Sequence, residues 1–330
     1  MRAPRKQSST SATPAWWTLS PTAAGLAIGA VADLLFADPG RRHPVAGFGQ
    51  VAAALERRTW RDSRSAGVLY VAVCVGTATA LGAAGTRLTA GRPPARTALT
   101  AAATWAVLGG TSLGRAATTM DRYLAAGDLP AARAHLSSLA GRDPSGLGEA
   151  ELVRATVESV AENTSDAAVA PLFWGAVAGL PGLVGYRAVN TLDAMVGYRS
   201  PRYARFGWAA ARLDDVVNWV PARATAVLTV LVAPLAGGSP AGAWHAWRRD
   251  GAAHPSPNAG RCEAALAGAL GLRLGGRNVY GARIEERPTL GDGEPPVRGD
   301  IRRAVRLSRA VWTAAATSAA LGRLARRELW

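Results

Sequence analysis

The chain has 330 residues, 49% of them hydrophobic, and a net charge of +15 from 38 basic and 23 acidic residues. The basic residues are spread between apolar segments, which argues against nucleic-acid binding because base readout needs a concentrated basic face. The only cysteines are Cys74 and Cys262, which excludes a disulfide framework and a cysteine-based zinc site.

The first apolar segment, residues 19–37, follows basic residues at positions 2, 5 and 6 and contains Asp33 near its end. A secretory signal peptide shows the same order of basic and apolar residues. Here, however, no clear small-residue cleavage site occurs, and further apolar segments follow. We therefore expect a retained first membrane helix.

Four later segments are also apolar: residues 66–86, 97–113, 224–238 and 310–322. The alternative is a soluble protein with buried Ala-rich helices. Two uncharged runs with arginines between them favour the membrane, because a bilayer crossing takes about 20 apolar residues. With no strand alternation and no repeat, the sequence predicts one all-α, polytopic integral membrane domain over residues 1–330. It would have about four to six hydrophobic helices and long polar, partly helical loops.

The polar stretches between these segments predict less regular structure. Residues 114–156 indicate amphipathic helices, with Asp128 and Asp143 as helix starts. Residues 239–308 contain many prolines and predict a loop-rich region, and residues 287–299 predict a flexible connector. Loops on a rigid helical scaffold commonly carry function.

An acidic motif, ESVAENTSDAAVAPLFW, occupies residues 158–174. The spacing of Val153, Val157 and Val160 predicts an apolar face on a helix over 151–163, with the acids on another face. An ordinary solvated face with an Arg154–Glu158 ion pair fits the spacing alone. The apolar segment that follows adds weight to a Mg²⁺ site, because a charge at low dielectric needs a partner. The candidate ligands are Glu158, Glu162, Asn163 and Asp166.

A second polar segment, residues 186–223, interleaves arginines, aspartates and aromatic residues. It is typical of a membrane interface, where Trp and Tyr concentrate. It is equally typical of a pocket in which arginines bind phosphate or carboxylate and aromatic rings stack on a planar ligand. Its candidate site residues are Arg187, Asn190, Asp193, Arg199, Arg205, Trp208, Arg212, Asp214, Asp215 and Asn218.

Further candidates lie in HPSPNAG (254–260), in GGRNVYG (275–281) and at a His-Pro pair. Loops set by Pro and Gly expose backbone N–H groups that receive anions. The residues concerned are Ser256, Asn258, Asn278 and His43, the last with Asp33 and Asp38 near it, although a lone His-Pro pair is usually structural. The usual nucleotide and hydrolase motifs are absent from the sequence, so any nucleotide site is unorthodox.

Four segments carry a resemblance to a known family: ADLLFADPGRRHPVAGFG, RATVESVAENTSDAAVAPLFW, YRAVNTLDAMVGYRSPRYARFGWAAARLDDVVNWVPAR and HPSPNAG…NVYGA. In this order they resemble the adenosylcobinamide-phosphate synthase family (CobD/CbiB) of cobalamin biosynthesis. The resemblance covers residues 25–60 and 150–283. The chain departs from the family pattern at Arg261, Cys262 and Ala282.

The resemblance implies an integral membrane enzyme that uses ATP to join an aminopropanol, free or phosphorylated, to a propionate carboxyl of adenosylcobyric acid. ATP and Mg²⁺ are then the expected cofactors. The arginines would bind phosphate or carboxylate, and Asp214 or Asp215, with Asp193 nearby, would act as the base. The expected partners are the lipid bilayer and other corrinoid-pathway membrane enzymes.

Two other functions stay open, a membrane transporter and a non-catalytic scaffold for corrinoid enzymes. The cell membrane is the expected location, with the site motifs on the cytoplasmic side. A straight crossing by residues 167–186 would separate the acidic motif from the Arg/Asp motif. Because prolines and glycines interrupt this segment, we expect it to enter and return, or to pack within the bundle, without crossing.

Overall fold

The computed structural model describes residues 20–38, 43–141, 143–198, 200–280 and 283–325. Side chains are described for these residues except 277–280, 283–285 and 325. In chain order the elements are α1 (Pro21–Phe36), α2 (Pro44–Thr59), α3 (Arg64–Leu88), α4 (Pro93–Val107), α5 (Gly110–Ala125), α6 (Leu129–Leu136), α7 (Glu149–Thr164), α8 (Ala170–Leu192), α9 (Trp208–Val217), α10 (Trp219–Val232), α11 (Pro240–Asp250), α12 (Ala259–Leu270), β1 (Leu274–Tyr280), β2 (Arg283–Leu290) and α13 (Arg298–Ala325).

The architecture is that of an all-α membrane protein with one small hairpin. Among the described residues, three helical units are long and apolar enough to cross a membrane, and α1 is a shorter apolar helix. These units are Arg64–Leu88, Glu149–Gly197 and Trp219–Ala236. The apolar segments predicted at 19–37, 66–86 and 224–238 therefore fall on α1, α3 and α10.

The other two apolar segments do not form candidate spans. Residues 97–113 divide between α4 and α5, because the chain leaves the helical conformation at Leu108 and Gly109, where Gly109 N–H donates to the Ala167 carbonyl (2.9 Å). Residues 310–322 form part of the longer α13. Its buried face, which includes Ile301, Leu307 and Trp312, packs within the main core.

The chain reverses direction inside α8, at Gly179. This residue has φ +64° and ψ −147°, a region open almost only to glycine. A continuous helix would place Asp166 and Tyr186 about 30 Å apart, yet the Tyr186 hydroxyl lies 3.3 Å from the Asp166 carbonyl oxygen. The chain therefore turns back within this segment, and both polar motifs lie at the open end of the resulting hairpin. That the segment does not cross the membrane stays a prediction.

Close helix contacts hold the α8 hairpin (residues 170–192). Gly82 of α3 lies against the Pro181 backbone, and a Cβ at Gly82 would come within 2.7 Å of its Cα. Gly175 lies equally close to the Leu26 side chain of α1. The absence of side chains at these glycines lets the hairpin approach both apolar helices closely.

The main hydrophobic core surrounds α7, whose Val153, Val157 and Val160 are buried as their spacing predicts. Helices α5, α12 and α13 pack against it. Polar contacts tie α13 to this core: Arg302 pairs with the buried Asp121 at 2.7 Å, and Thr164 bonds to Ser308 at 2.6 Å. The α7 helix therefore ends at a fixed place, directly before the acidic residues at 165–166.

The polar stretches are more ordered than the sequence indicates. Asp128 caps α6 by accepting from Ala131 N–H (3.0 Å), as predicted. Asp143 does not start a helix; it accepts from Ser145 N–H in a turn, and α7 begins at Glu149. The proline-rich region forms α11, α12 and an antiparallel hairpin, so the connector predicted from residue 287 begins within β2.

The reversal at Gly179 gives a topological prediction. We expect single cysteines at Ser145, before α7, and at Ala204, after the hairpin, to be labelled from the same side of the membrane. Both positions are exposed. The background would lack the two buried cysteines. Labelling of intact and permeabilised cells with an impermeant thiol reagent checks this, and opposite accessibility of the two positions would contradict it.

Candidate active site

Three sequence motifs that are distant along the chain meet around one polar cavity of about 200 Å³. The acidic motif enters from α7, the Asp motif from α9, and the HPSPNAG loop precedes α12. The polar residues that line the cavity are Glu162, Ser165, Asp166, Asp193, Asp214, Asp215, Asn218, Ser256 and Asn258. All of these except Ser165 are among the site residues predicted from the sequence.

Two of the carboxylates lie in π-helical turns. Asp166 belongs to the turn Ser165–Val169 between α7 and α8, and Asp193 begins the turn Asp193–Gly197 after α8. Single π-helical turns inside α-helices occur frequently at functional sites. The charges of Glu162, Asp193 and Asp214 all act on Asp166, so the two turns bring the carboxylates of separate segments into one electrostatic cluster.

Amide and hydroxyl groups connect the walls of the cavity. Asn190 Nδ2 reaches Asp166 Oδ2 at 3.5 Å, and the Tyr186 hydroxyl donates to Asn218 Oδ1 at 2.9 Å. Asn258 Nδ2 donates to the Asp215 carbonyl at 2.8 Å. These bonds join the α8 hairpin, α9 and the loop before α12, so the relative positions of the three motifs are fixed.

Several buried polar atoms on the cavity wall have no hydrogen-bond partner among the described residues. They are Asp214 Oδ1, Asn218 Nδ2 and Asn258 Oδ1. A buried polar atom left without a partner costs about 1–3 kcal/mol. A polar ligand or water in the cavity would remove that cost.

Asp214 is the carboxyl most suited to proton transfer. Burial, together with the negative charge of Asp193, raises the pKa of Asp214 to about 7. Burial also raises the pKa of Asp215, whereas Arg212, 3.5 Å away, lowers it. A base works best when its pKa lies near the operating pH, so Asp214 fits that role better than its neighbour.

Arg187 lies between the acidic cavity and a second, apolar cavity of about 570 Å³. Its guanidinium donates to Asn190 Oδ1 at 3.3 Å, which places a cation beside Asp166. The apolar cavity runs between α2, α3, α4 and α8, and Arg187 is its only charged lining residue among those described. An anionic group of a largely apolar ligand would be held there.

His43 lies outside both cavities. Its Nδ1 accepts from Val45 N–H at 3.1 Å, which caps α2, and its Nε2 is 4.0 Å from Asp38. Burial lowers the His43 pKa, against an opposing effect of Asp38. Asp33 is also structural, since its Oδ2 accepts from Thr111 N–H at the start of α5 (3.0 Å).

Two of the predicted metal ligands lie away from the acidic cavity. Glu158 Oε1 accepts from Gly275 N–H at 2.9 Å and is 4.0 Å from the Arg154 guanidinium, so it holds the β1–β2 hairpin against α7. Asn163 Nδ2 donates to the Ser159 carbonyl at 3.0 Å. Of the four predicted ligands, Glu162 and Asp166 line the cavity.

The remaining predicted residues lie either at the surface or outside the described part of the structure. Arg212 is exposed and reaches Asp215 from outside. Arg205 is exposed near Asp62, and Trp208 stacks with Arg64. Arg199 lies outside the described residues. Asn278 belongs to β1, and its side chain is outside those described.

The sequence analysis missed three residues of the site, namely Tyr186, Ser165 and Cys262. Tyr186 precedes the predicted Arg187, and its role depends on the reversal at Gly179. Cys262 follows Ala259 by three residues, so α12 presents both on the cavity side. Helical spacing would have found Cys262 once α12 was expected in this region.

The donor set fits Mg²⁺, although no three His, Cys, Asp or Glu side chains within the described residues form a ready-made metal site. Mg²⁺ keeps several waters and is commonly held by one or two carboxylates together with substrate phosphates. The carboxylates Glu162, Asp166 and Asp193 line the cavity, and Asn258 Oδ1 is a further oxygen there without a hydrogen-bond partner among the described residues. These are the oxygen ligands that a hydrated Mg²⁺ prefers.

Known proteins have sequences similar to this one. The family described as CobD/Cbib protein matches residues 26–308. Cobalamin biosynthesis protein CobD of Mycobacterium tuberculosis is 58% identical over 91% of this chain and 95% of its own length. Proteins of the same name from Geobacter metallireducens and Chromobacterium violaceum are 46% and 42% identical, over 82% and 89% of this chain and 88% and 95% of their own lengths. No solved structure matches. The chain therefore belongs to the CobD/CbiB family of cobalamin biosynthesis.

Proposed function

We propose that this protein is an ATP-dependent ligase that joins an amine of the aminopropanol type, free or phosphorylated, to a propionate carboxyl of adenosylcobyric acid. The observation that carries the proposal is the convergence of the acidic, Asp-rich and HPSPNAG motifs on one cavity, beside Arg187. Membership in a cobalamin-biosynthesis family supports a corrinoid substrate.

The chemistry requires activation of an unreactive carboxylate. In the proposed reaction a carboxylate oxygen attacks the γ-phosphorus of ATP, which forms an acyl phosphate and releases ADP. The amine nitrogen then attacks the acyl carbon and inorganic phosphate leaves, while a base takes the proton that the nitrogen loses. The protein must therefore bind phosphate oxygens, orient a carboxylate and accept one proton.

Each of these tasks has a matching group in the cavity region. Glu162, Asp166 and Asp193 would hold Mg²⁺, which when bound neutralises charge on the ATP phosphate oxygens. The Arg187 guanidinium would orient the substrate carboxylate, since a guanidinium matches a carboxylate with two parallel hydrogen bonds. Asp214, with its pKa near 7, would take the proton from the amine nitrogen.

The position of Arg187 also explains how a large substrate reaches a small cavity. The acidic cavity is too small for a corrinoid. The side of Arg187 that faces away from this cavity lines the apolar cavity between α2, α3 and α4. A corrinoid approaching from that side would present only its propionate to Arg187. The amine would enter the acidic cavity, where the carboxylates attract its ammonium group.

The direct test is to incubate the purified protein with adenosylcobyric acid, ATP, Mg²⁺ and each amine, and to identify the product by mass. The expected product is the amide, formed only with ATP and with one of the two amines. A non-catalytic scaffold would give no amide under any condition, and a transporter would move substrate across vesicles without changing its mass.

The two glutamates of the acidic motif should differ when each is changed to Gln. Glu162→Gln should raise the Mg²⁺ concentration needed for half-maximal turnover about tenfold or more, because it removes a cavity carboxylate. Glu158→Gln should leave that concentration unchanged and lower the melting temperature, because the amide can still accept from Gly275 N–H but loses the charge that pairs with Arg154 at 4.0 Å. Mg²⁺ titrations of turnover and thermal melts of both variants check this, and an equal Mg²⁺ response in the two would contradict it.

A further inference from the structure

Aromatic and arginine side chains form a compact surface patch at the first turn of α3. Arg64 lies over the Trp208 ring at 5.2 Å, and Arg202 lies over the Trp60 ring at 4.6 Å. Tyr203 is in contact with Arg202 as well, at 5.5 Å. We call these five residues the Arg–Trp patch; they come from the ends of α2, α3 and α9 and from the loop before α9.

The patch is a built feature of the fold. Glu56, which is buried at the end of α2, accepts from Arg202 Nη2 at 2.9 Å and from the Tyr203 hydroxyl at 3.0 Å. Trp60 Nε1 donates to the Arg202 carbonyl at 3.2 Å. Because these bonds fix Arg202 and Tyr203, the arginine and aromatic faces are held in place before any ligand arrives.

The patch stands where a membrane-crossing helix begins. Arg64 is the first residue of the candidate span Arg64–Leu88. One turn further along the same helix, Val68 and Leu69 are 47% and 62% exposed. Exposed apolar side chains along a candidate span face lipid hydrocarbon, so the residues directly before them lie at the level of the headgroups.

The charge around the patch is strongly positive. Arg57, Arg58 and Arg61 are exposed beside it, and Arg205 lies 3.9 Å from Asp62 with both side chains exposed. Together with Arg64 and Arg202, six arginines stand against two acids, Glu56 and Asp62. The Arg64 guanidinium, stacked on Trp208, can turn its in-plane donors to phosphate oxygens, whereas Arg202 gives Nε and Nη2 to Glu56.

We propose that the Arg–Trp patch binds the headgroup of an anionic phospholipid, whose acyl chains lie along the exposed apolar face of α3. A soluble phosphate compound would use the arginines alone, whereas a lipid also covers Val68 and Leu69. Each arginine near an anionic membrane surface contributes about 1 kcal/mol, or about fivefold in affinity.

The test measures lipid binding to the full chain in detergent by native mass spectrometry. Phosphatidylglycerol should bind more tightly than phosphatidylcholine. The double variant Arg64→Gln/Arg205→Gln should weaken phosphatidylglycerol binding about 25-fold, at about fivefold for each arginine, and leave phosphatidylcholine binding unchanged. Neither exchange touches the Glu56 contacts that hold Arg202.

A matched control uses another exposed Arg–Trp pair, Arg248 over Trp244 at 5.4 Å on α11. Arg248→Gln should keep the affinity for phosphatidylglycerol. If the double variant does not fold, the wild-type protein provides the test. In 0.5 M salt the Debye length lies between about 3 and 10 Å, so phosphatidylglycerol binding should weaken. Equal loss in the control, no salt effect, or displacement of the lipid by equimolar inorganic phosphate would overturn the proposal.

Discussion

Replacing Asp214 by Asn should lower the rate of amide formation about 100- to 10,000-fold, which is the usual contribution of a general base. The amide of Asn218 and the carboxylate of Asp193 would keep their places, because Asp214→Asn preserves the size of the side chain. The exchange also removes a charge that burial disfavours, so the melting temperature should not fall. Single-turnover rates and thermal melts of the purified variant check both results.

The pH dependence gives a second measurement of the same group. A base must be ionised to accept a proton, and Asp214 has a pKa of about 7. Below that pH the ionised fraction falls about tenfold per unit, so kcat/KM should rise with pH up to about 7 and then level off. This rise should be absent from the Asp214→Asn profile.

A matched control for this prediction is Asp62→Asn. Asp62 is exposed and lies 3.9 Å from Arg205 at the surface, outside the acidic cavity. We expect its turnover and its pH profile to equal those of the wild type. If Asp214→Asn instead kept the wild-type rate with the same rise below pH 7, the base would have to be another group, and Asp215 would be next to test.

The acidic cavity was accessible to sequence reasoning because its residues are polar and lie beside apolar segments. A carboxylate such as Asp166 or Asp214 next to a hydrophobic run needs a partner, and that requirement does not depend on knowing the fold. The apolar spacing around Val153 and Val157 likewise fixes a helix before any tertiary contact is known. Such local patterns predicted the apolar helices α1, α3 and α10 and most of the polar residues of the cavity.

Glu158 shows where local patterns are insufficient. Its spacing from Glu162 is that of a two-carboxylate site, yet its partner is the backbone of Gly275, 117 residues later. Only the packing of α12 and the hairpin against α7 decides that Glu158 turns away from the cavity. The hairpin itself was missed, because residues 274–290 show no alternation of apolar and polar side chains and are instead held by contacts with α7, α11 and α12.

The two halves of the site depend on one backbone position. Asp166 and Asn190 belong to the two sides of the reversal, and their side chains meet at 3.5 Å because the chain turns at Gly179. Each side is an ordinary helix with its own apolar contacts. Activity should therefore respond more strongly than overall stability to a change in the geometry of the reversal.

Gly179→Ala should destabilise the protein by about 1–3 kcal/mol, the usual cost of a side chain in this region of φ and ψ. Space is not the reason, because a Cβ at Gly179 would lie 3.5 Å from Arg323 Nη2, an ordinary contact. The strain is in the backbone, and relief of it would change the angle between the two sides of the hairpin. Amide formation should therefore fall further than the stability loss alone explains.

Gly76→Ala is the matched control, since Gly76 lies in α3 with nothing within 4 Å of its added Cβ and with no positive φ. Alanine there should be neutral or stabilising, by up to about 1 kcal/mol, because it favours the helix. Thermal melts and turnover of the two variants in the same detergent decide the matter. A Gly179→Ala protein as stable and as active as Gly76→Ala would mean that the chain does not reverse through the glycine conformation at 179, and the two polar motifs would need another route to a common cavity.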